Sequence, residues 1–499
     1  MNPYFDLSWI KSILELLAAL FVFVLGLAAL ALVVVYVLDV TQTKQALRRN
    51  FPVIAHFRYN LEWLGQFFRQ YFFAMDREEM PFNRAQRAWV YRAAKNIDNT
   101  VAFGSTRDLR PPGTVLFVNT PFPTLNEDAV PPRTVTIGPH CLHPYATASI
   151  FNISGMSYGA ISRPAILALS KGAHKAGCWM NTGEGGLTQM HLEGGADIVF
   201  QIGTAKNGVR DLEGRLDDAR LREIASHAQV KMFEIKLSQG AKPGKGGILP
   251  GAKVTAEIAA IRNIRMGEDA ISPNRHLDIG NDDQLLNSIA HIRSVTGKPT
   301  GFKMVLGGPE WLDRLFEKIN ERGADSAPDF IALDSAEGGT GAAPQALIDD
   351  MGLPLRESLP MLIDKLHEHG LRERIKVIAA GKLITPADVA WALCIGADFI
   401  NSARGFMFAL GCIQALQCNK NTCPTGITTH NMHLQRGLVP EDKAERVASY
   451  HQNLTYEVGM LAHACGVREP RELNRQHCRV VGPSGLSVPL SVLHKPVAP

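Results

Sequence analysis

Fixed charge of one sign is scarce in this chain. Fifty-two lysines and arginines against 48 acids leave +4 over 499 residues, and no run of cations is interleaved with aromatics in a stripe. A nucleic-acid partner is therefore not expected. Cysteine is also sparse. Of the eight present, Cys141, Cys178, Cys394, Cys465 and Cys478 fall into no regular framework, which fits a reducing compartment better than a secreted disulfide scaffold. The 44 glycines and 29 prolines are spread along the chain and form no low-complexity tract, so disorder is not expected. No G-x-G-x-x-G follows a predicted strand, which removes the usual nicotinamide dinucleotide fingerprint. The length exceeds one typical core and predicts a large domain with appendages, or two to three domains.

What is present begins with a long apolar run. Between Glu15 and Asp39 lie 23 uncharged residues, "LLAALFVFVLGLAALALVVVYVL", where about 20 span the hydrocarbon core of a bilayer. Residues 1–40 are read as a transmembrane segment and not a cleaved signal peptide, because the run is long and no small-residue cleavage site follows it. Asp6, Lys11 and Glu15 precede the span, whereas Lys44, Arg48 and Arg49 follow it closely. The positive-inside rule then puts the rest of the chain in the cytoplasm, at what is expected to be a bacterial inner membrane. Residues 41–112 mix aromatics with Arg58, Arg69, Arg84, Arg87 and Arg92. They are expected to be helical, either as an interfacial helix or as an amphipathic helix docked on the main domain. Residues 113–147, rich in proline and turn signals, read as a lead-in with short strands.

From residue 148 short apolar runs alternate with helical stretches. Eight candidate strands can be counted: "SIFNISGM", "CWMNT", "DIVFQI", "KMFEIKL", "TGFKMVL", "DFIALD", "IKVIAA" and "DFINSA". The fold class predicted is α/β, a (β/α)8 TIM barrel over residues 148–435, followed by a C-terminal extension over 436–499. Helices fit between the strands, one of them opening at Thr385 as N-cap with Pro386 at its first position. In such a barrel the active site is built on the loops after the strands. Those loops are glycine-rich: Ser154, Gly155, Met156 and Ser157 after the first run, "NTGEGG" after the second, "SQGAKPGKGGILPG" after the fourth, and "SAEGGTGAAP" with Gly338 and Gly339 after the sixth. Glycine gathers where backbone approaches a ligand closely; any one such loop is better read as a tight turn, but five at one rim favour a ligand. Barrels of this kind often hold phosphate after strands seven and eight, here at Gly381, Lys382, Ala403 and Arg404. Lys303, inside an apolar strand, needs a partner; the N1–C2 edge of a flavin would supply one.

About ten residues beyond the last strand comes "GCIQALQCNKNTCPTG", with Cys412, Cys418 and Cys423. Their spacing differs from a zinc Cys-x2-Cys pair, and the nearest fourth ligand is His430. The closing Cys-Pro occurs in ferredoxin cluster motifs, and three thiolates suit a three-iron cluster. An iron–sulfur site, a zinc site and structural thiols all remain open on this spacing.

The motifs "GMSYGAISRPAILAL", "NTGEGG", "QGAKPGKGGILPGAKVT", "AISPNRHLDI", "GGTGAAP" and "GCIQALQCNKNTCPTG" occur in one order over residues 145–435, and there the chain resembles the flavin-binding synthase domain of glutamate synthase. The N-terminal segment looks like free-standing, membrane-tethered members of that family. The resemblance implies FMN and a 3Fe-4S cluster held by Cys412, Cys418 and Cys423. It also implies an oxidoreductase that reductively aminates 2-oxoglutarate, through 2-iminoglutarate, to L-glutamate. Glu184 falls on the family's glutamate near the flavin, Gln239 and Lys242 on loop residues that grip the oxoacid, and Arg262 on its carboxylate-binding arginine. Lys242 and Arg262 can hold a dianion, the arginine bidentately. Met156 is expected to pack under the flavin ring. Glu184 has the simpler reading of a loop brace, Lys245 that of a solvated charge, and His276 and Asp278 that of loop-ordering residues. One departure is Ile248, which stands where the family's loop carries a substrate-binding glutamine. A second is that neither a glutaminase domain nor the helical repeat domain is expected, so ammonia would come free or from a separate amidotransferase. The electron donor would be a ferredoxin, a partner flavoprotein or a quinol. Rival readings are an amino-acid or imino-acid oxidoreductase coupled to the membrane quinone pool, and a flavin and iron–sulfur electron-transfer subunit.

Overall fold

The computed structural model describes residues 8–211 and 213–495. Asp6, the first residues of the predicted transmembrane segment and the last four of the C-terminal extension lie outside the described residues. The chain divides into two compact units, Met1–Ala85 and Gln86–Pro499.

In the first unit the apolar run forms one helix, Ser8–Thr41. Its stretch Trp9–Thr41 is long and apolar enough to cross a membrane, and none of its most apolar window is buried. Near its end Asp39 turns inward and accepts hydrogen bonds from Val53 N, at 2.9 Å, and from His56 Nε2, at 2.9 and 3.0 Å. This carboxylate joins the long helix to a second one, Ile54–Phe68, which continues as a π-helical turn over Arg69–Phe73. Trp63, Phe67, Phe72 and Phe73 stand exposed on it. The expected helical region does not extend through residue 112: after the helix Arg84–Ala94, residues 95–112 form turns and bends. Pro111 and Pro112 close that stretch and cannot donate to a helical ladder.

In the second unit the eight apolar runs become eight parallel strands of a closed barrel. These are β1 (Phe151–Ile153), β2 (Trp179–Asn181), β3 (Asp197–Ile202), β4 (Val230–Lys236), β5 (Thr300–Val305), β6 (Phe330–Asp334), β7 (Lys376–Ala380) and β8 (Phe399–Ser402). Closure is made by β8 on β1, with Ile400 opposite Phe151 and Asn401 opposite Asn152. The runs are apolar on both faces because helices cover the outside while side chains such as Trp179, Met232, Phe330 and Phe399 fill the inside. Helix Pro386–Ile395 starts as the sequence predicts: Asp388 accepts from both the amide and the hydroxyl of Thr385.

The lead-in and the C-terminal stretch belong to this unit together. Lead-in strand Val115–Phe117 pairs antiparallel with Cys478–Val481. Strand Val135–Ile137 pairs with Tyr145–Thr147. Helix Pro440–Ala464 packs on helix Arg163–Ala176. There Gly172 has no room for a Cβ, which would meet the Val447 side chain at 2.5 Å.

Candidate active site

The barrel interior near its mouth is charged. Glu234 on β4 is 1% exposed, and its Oε1 accepts from Asn181 Nδ2 at 3.0 Å and Gln201 Nε2 at 2.6 Å. Asn181 ends β2, and its Oδ1 in turn accepts from Gly183 N at 2.9 Å, which sets the 3-10 turn Gly183–Gly185. That turn presents Glu184. Its Oε2 lies 3.1 Å from Lys236 Nζ at the end of β4. The side chain nests against two glycines: a Cβ on Gly203 would meet Glu184 Cβ at 2.6 Å, and one on Gly247 would run into the carboxylate itself. Burial pushes the Glu184 carboxyl up, but Lys236, then Lys242 and Arg262, outweigh it and hold the group below its ordinary range. It is a carboxylate facing three cations.

Lys242 is buried, and its Nζ donates to Ala342 O at 3.0 Å, tying the loop after β4 to the loop after β6. Burial, with lesser contributions from Lys236 and Lys245, pushes its ammonium down to about 8 against the opposing pull of Glu184. Gln239 is half-buried in the same loop, its carbonyl accepting from Lys242 N at 3.2 Å. Arg262, at the end of helix Ala256–Arg262, is buried. Its Nη2 donates to Tyr158 O at 2.7 Å, while its Nε is buried with no hydrogen-bond partner among the described residues. One of its nitrogens is therefore committed to backbone, which limits how it can meet a carboxylate. Ile248 sits next to Gly247 and pairs with Ile271 in a short antiparallel ribbon. Lys245 is exposed, His276 Nε2 contacts Lys236 O at 3.0 Å, and Asp278 pairs with Lys206 at 2.7 Å.

Lys303 has a partner within the protein: Asp334 Oδ2, at the end of β6, lies 3.2 Å from its Nζ. Burial alone would lower the Lys303 ammonium; Asp334 and then Glu234 more than offset it and raise the group above its usual value. The partner that a lysine inside an apolar strand needs is thus supplied, within the protein, by Asp334. The same Asp334 oxygen accepts from Gly240 N at 3.1 Å. Several rim glycines likewise serve contacts between loops. A Cβ on Gly183 would lie 2.5 Å from Ser157 N, and one on Gly240 would overlap Ser335 O.

Ser154 and Met156 are buried behind these loops, with Gly155 and Ser157 half-buried between and beside them. After β7 and β8, Gly381, Lys382, Ala403 and Arg404 come together. Burial lowers the Lys382 ammonium, and the neighbouring Arg404 lowers it further while Glu337 opposes. Arg404 donates to Glu337 O and lies alongside Gly339, whose Cβ would meet Arg404 Nε at 2.9 Å; Gly338 packs on Asp334. Lys382 and Arg404 are neighbouring cations; Glu337 acts on both, and Asp334 acts on Arg404 as well.

The loop with Cys412, Cys418 and Cys423 follows helix Arg404–Leu410, and all three are free thiols. Burial pushes Cys412 up to about 12 and raises Cys418. Burial acts the same way on Cys423, but hydrogen bonding, first from Thr425, brings it below its ordinary value. Cys412 feels the charge of both Cys418 and Cys423, and Cys418 that of Cys423. Among the described residues no three His, Cys, Asp or Glu side chains converge closely enough to hold a single metal ion. The nearest candidate for a fourth ligand, His430, has its Nε2 paired with Gly159 O at 2.8 Å. Two residues from distant parts of the chain reach this loop. Tyr91 donates to Cys412 O at 2.6 Å, and Lys253 Nζ donates to Cys418 O at 3.1 Å.

Residues 125–468 match the family profile described as "Conserved region in glutamate synthase". The chain belongs to the glutamate synthase family. A glutamate synthase large subunit-like protein of Bacillus subtilis, YerD, is 39% identical over 93% of this chain and 95% of its own length. An archaeal glutamate synthase [NADPH] of Methanocaldococcus jannaschii is 36% identical, the match spanning 66% of this chain and 62% of that relative. Among solved structures, a mandelate oxidase variant with 2-hydroxy-phenylacetamide overlays with a TM-score of 0.45 at 14% identity, covering 79% of this chain and 90% of its own. Membership makes the protein an oxidoreductase of the glutamate synthase type. Of the charged residues at the mouth, Lys236 and Glu234 escape motif reading, although both interrupt the apolar run "KMFEIKL" as Lys303 interrupts its own.

Proposed function

We propose that the protein aminates 2-oxoglutarate reductively to L-glutamate, using FMN in the barrel mouth and a 3Fe-4S cluster at Cys412, Cys418 and Cys423, with ammonia supplied from outside the chain. The observation that carries this reading is the convergence of Glu184, Lys236, Lys242 and Arg262 at the mouth of a barrel of this family. FMN fits the residues present. The Lys382–Arg404 pair favours a phosphate, and the Ser154–Ser157 loop and the Lys303–Asp334 pair line the interior beside it. Three free thiols on one loop fit a cluster better than a single ion, for which the geometry is lacking.

Reduced FMN supplies hydride chemistry that no side chain offers. The chain's own residues bind and orient. Lys242 and Arg262 attract the oxoacid carboxylates, and Gln239 lies in the same loop. Glu184, held as a carboxylate by Lys236, can keep an ammonium ion and take its proton to release nucleophilic ammonia. Lys242, with its proton affinity lowered towards neutrality, can return a proton to the hydroxyl that leaves as the imine forms. We place the catalytic unit in the cytoplasm of a bacterium, tethered to the inner membrane by Ser8–Thr41. A ferredoxin, a flavoprotein or a quinol would supply electrons, and a separate amidotransferase could supply ammonia. The test is anaerobic reduction of the bound flavin followed by mixing with a panel of oxoacids and ammonia. Reoxidation by 2-oxoglutarate with ammonia is expected, and its failure in every combination overturns the reading.

The apolar helix Trp9–Thr41 also favours a second reading, an amino-acid or imino-acid oxidoreductase passing electrons to membrane quinone. Flavin reduction by an amino acid, reversed by a soluble quinone, would distinguish it.

A further inference from the structure

Three successive backbone carbonyls at the barrel mouth are each held by a basic side chain. Tyr158 O accepts from Arg262 Nη2 at 2.7 Å, Gly159 O pairs with His430 Nε2 at 2.8 Å, and Ala160 O accepts from Lys253 Nζ at 2.9 Å. Two of the three holders reach in from the other functional loops, Arg262 from the oxoacid side and His430 from just beyond the cysteines. Lys253 goes further. Its Nζ donates also to Cys418 O at 3.1 Å, so one ammonium group spans the Tyr158–Ala160 segment and the cysteine loop.

This lysine is 2% exposed and among the largest fully buried side chains of the protein. A buried ammonium costs several kcal/mol unless it is paired with opposite charge and hydrogen-bonded. Yet no carboxylate lies within ion-pair distance of it among the described residues. The Cys418 carbonyl that it meets belongs to the cysteine loop, and Arg262, which donates to Tyr158 O, is a second buried cation on the same segment. Two carbonyls satisfy part of its hydrogen-bonding capacity but none of its charge. A glutamine could brace the same two carbonyls without any cost of burying charge. The choice of lysine therefore points to a negative counterpart in the cysteine loop, which thiolates carrying an iron–sulfur cluster would provide.

We propose that Lys253 is the positioning residue and counter-ion of the iron–sulfur loop, fixing Cys418 against the Tyr158–Ala160 segment and biasing the cluster towards its reduced form. This rests on the cluster reading above. A fixed positive charge stabilises the form with the extra electron, so removing it favours the oxidised form.

The experiment is a redox titration followed by electron paramagnetic resonance on the detergent-solubilised full chain, in wild type, Lys253→Gln, Lys253→Met and Lys253→Arg. Folding is checked by flavin content and near-ultraviolet circular dichroism. The Gln and Met variants are expected to favour the oxidised cluster at least tenfold more than wild type, a fall of about 59 mV for a one-electron couple. Lys253→Arg keeps the charge and is expected to stay close to wild type. A neutral variant that folds with flavin but assembles no cluster also supports the counter-ion role if Lys253→Arg assembles one. Equal potentials in all four proteins overturn the proposal, as does failure of both neutral variants to fold while Lys253→Arg folds, since that leaves only a structural brace. Wild type with flavin but without iron or a cluster signal sinks the cluster reading itself, a result distinct from any variant difference.

Discussion

Lys236 Nζ lies 3.1 Å from Glu184 Oε2, joining the end of β4 to the loop after β2. Both side chains are largely buried, at 11% and 16% exposure, so the pair is poorly screened. Neither residue is useful alone in such a place. Without Lys236, burial would push Glu184 towards its neutral acid, and a neutral acid can neither hold ammonium nor accept its proton.

Lys236→Met is therefore expected to cost on the order of 3 kcal/mol of stability by leaving a buried carboxylate short of a partner. Its acid limb of kcat/KM moves to higher pH. The sign follows from Glu184 lying below its ordinary value in the folded protein. Its stabilising contribution is present above the unfolded pKa, about 4.3, and disappears as pH falls through the folded value. Thermal melting from pH 7 down to 3 would show the wild-type loss below about 4.5, and a smaller loss in Lys236→Met. Identical slopes in the two proteins would exclude the pairing.

Lys242 acts in the opposite range. Its ammonium is pushed down to about 8, mainly by burial, while in the unfolded chain it titrates near 10.4. Between those values the unfolded chain binds the extra proton, so this group makes stability rise with pH. Catalysis runs the other way: above about pH 8 KM for the oxoacid is expected to rise as the charge is lost, and kcat to fall as the proton donor is lost. Lys242→Arg keeps its charge and would move that limb upward by at least one pH unit. A KM flat from pH 7 to 10 in wild type would remove Lys242 from substrate binding.

The barrel was legible because its strands are buried on both faces. Each run, such as "DIVFQI" or "KVIAA", is predominantly apolar and bounded by turn or helix signals. Thr385 and Pro386 were legible for a local reason as well, since a cap acts within three residues. The charged mouth was not. Glu184 and Lys236 are 52 positions apart, and nothing local in either segment says that their loops face each other. The Lys303–Asp334 pair illustrates the same limit: a lysine in an apolar strand announces that it needs a partner, and only closure of the barrel shows that β6 supplies it. The burial of Lys253 is equally illegible in the segment "PGAKVT", because it depends on the cysteine loop folding back over it from residue 418.

Ile248 bears on substrate choice. It is half-buried, one residue beyond Gly247, against which the Glu184 carboxylate rests. An apolar side chain there offers a carboxylate nothing. Ile248→Gln is expected to lower KM for 2-oxoglutarate about tenfold, the worth of one hydrogen bond to a charged group, at roughly constant kcat. Steady-state kinetics with an artificial reductant would measure it. An unchanged or raised KM would mean that the pocket is built for an oxoacid whose far end is not charged.

The cysteine loop allows a direct removal experiment. Cys412→Ser, Cys418→Ser and Cys423→Ser are each expected to abolish most of the bound iron while leaving flavin in place, because Lys382, Arg404, Lys303 and Asp334 lie outside the cysteine loop. Cys141→Ser, at a thiol that donates to Asp329 Oδ2 at 3.5 Å, is expected to keep its iron. Iron-to-flavin ratios and visible absorbance on anaerobically purified protein give the readout. Loss of electron transfer from an external donor to the flavin in the three loop variants, with reductive chemistry preserved when the flavin is reduced directly, would assign the loop to electron delivery. Retention of iron in any two of those variants would exclude a cluster held by these three thiolates.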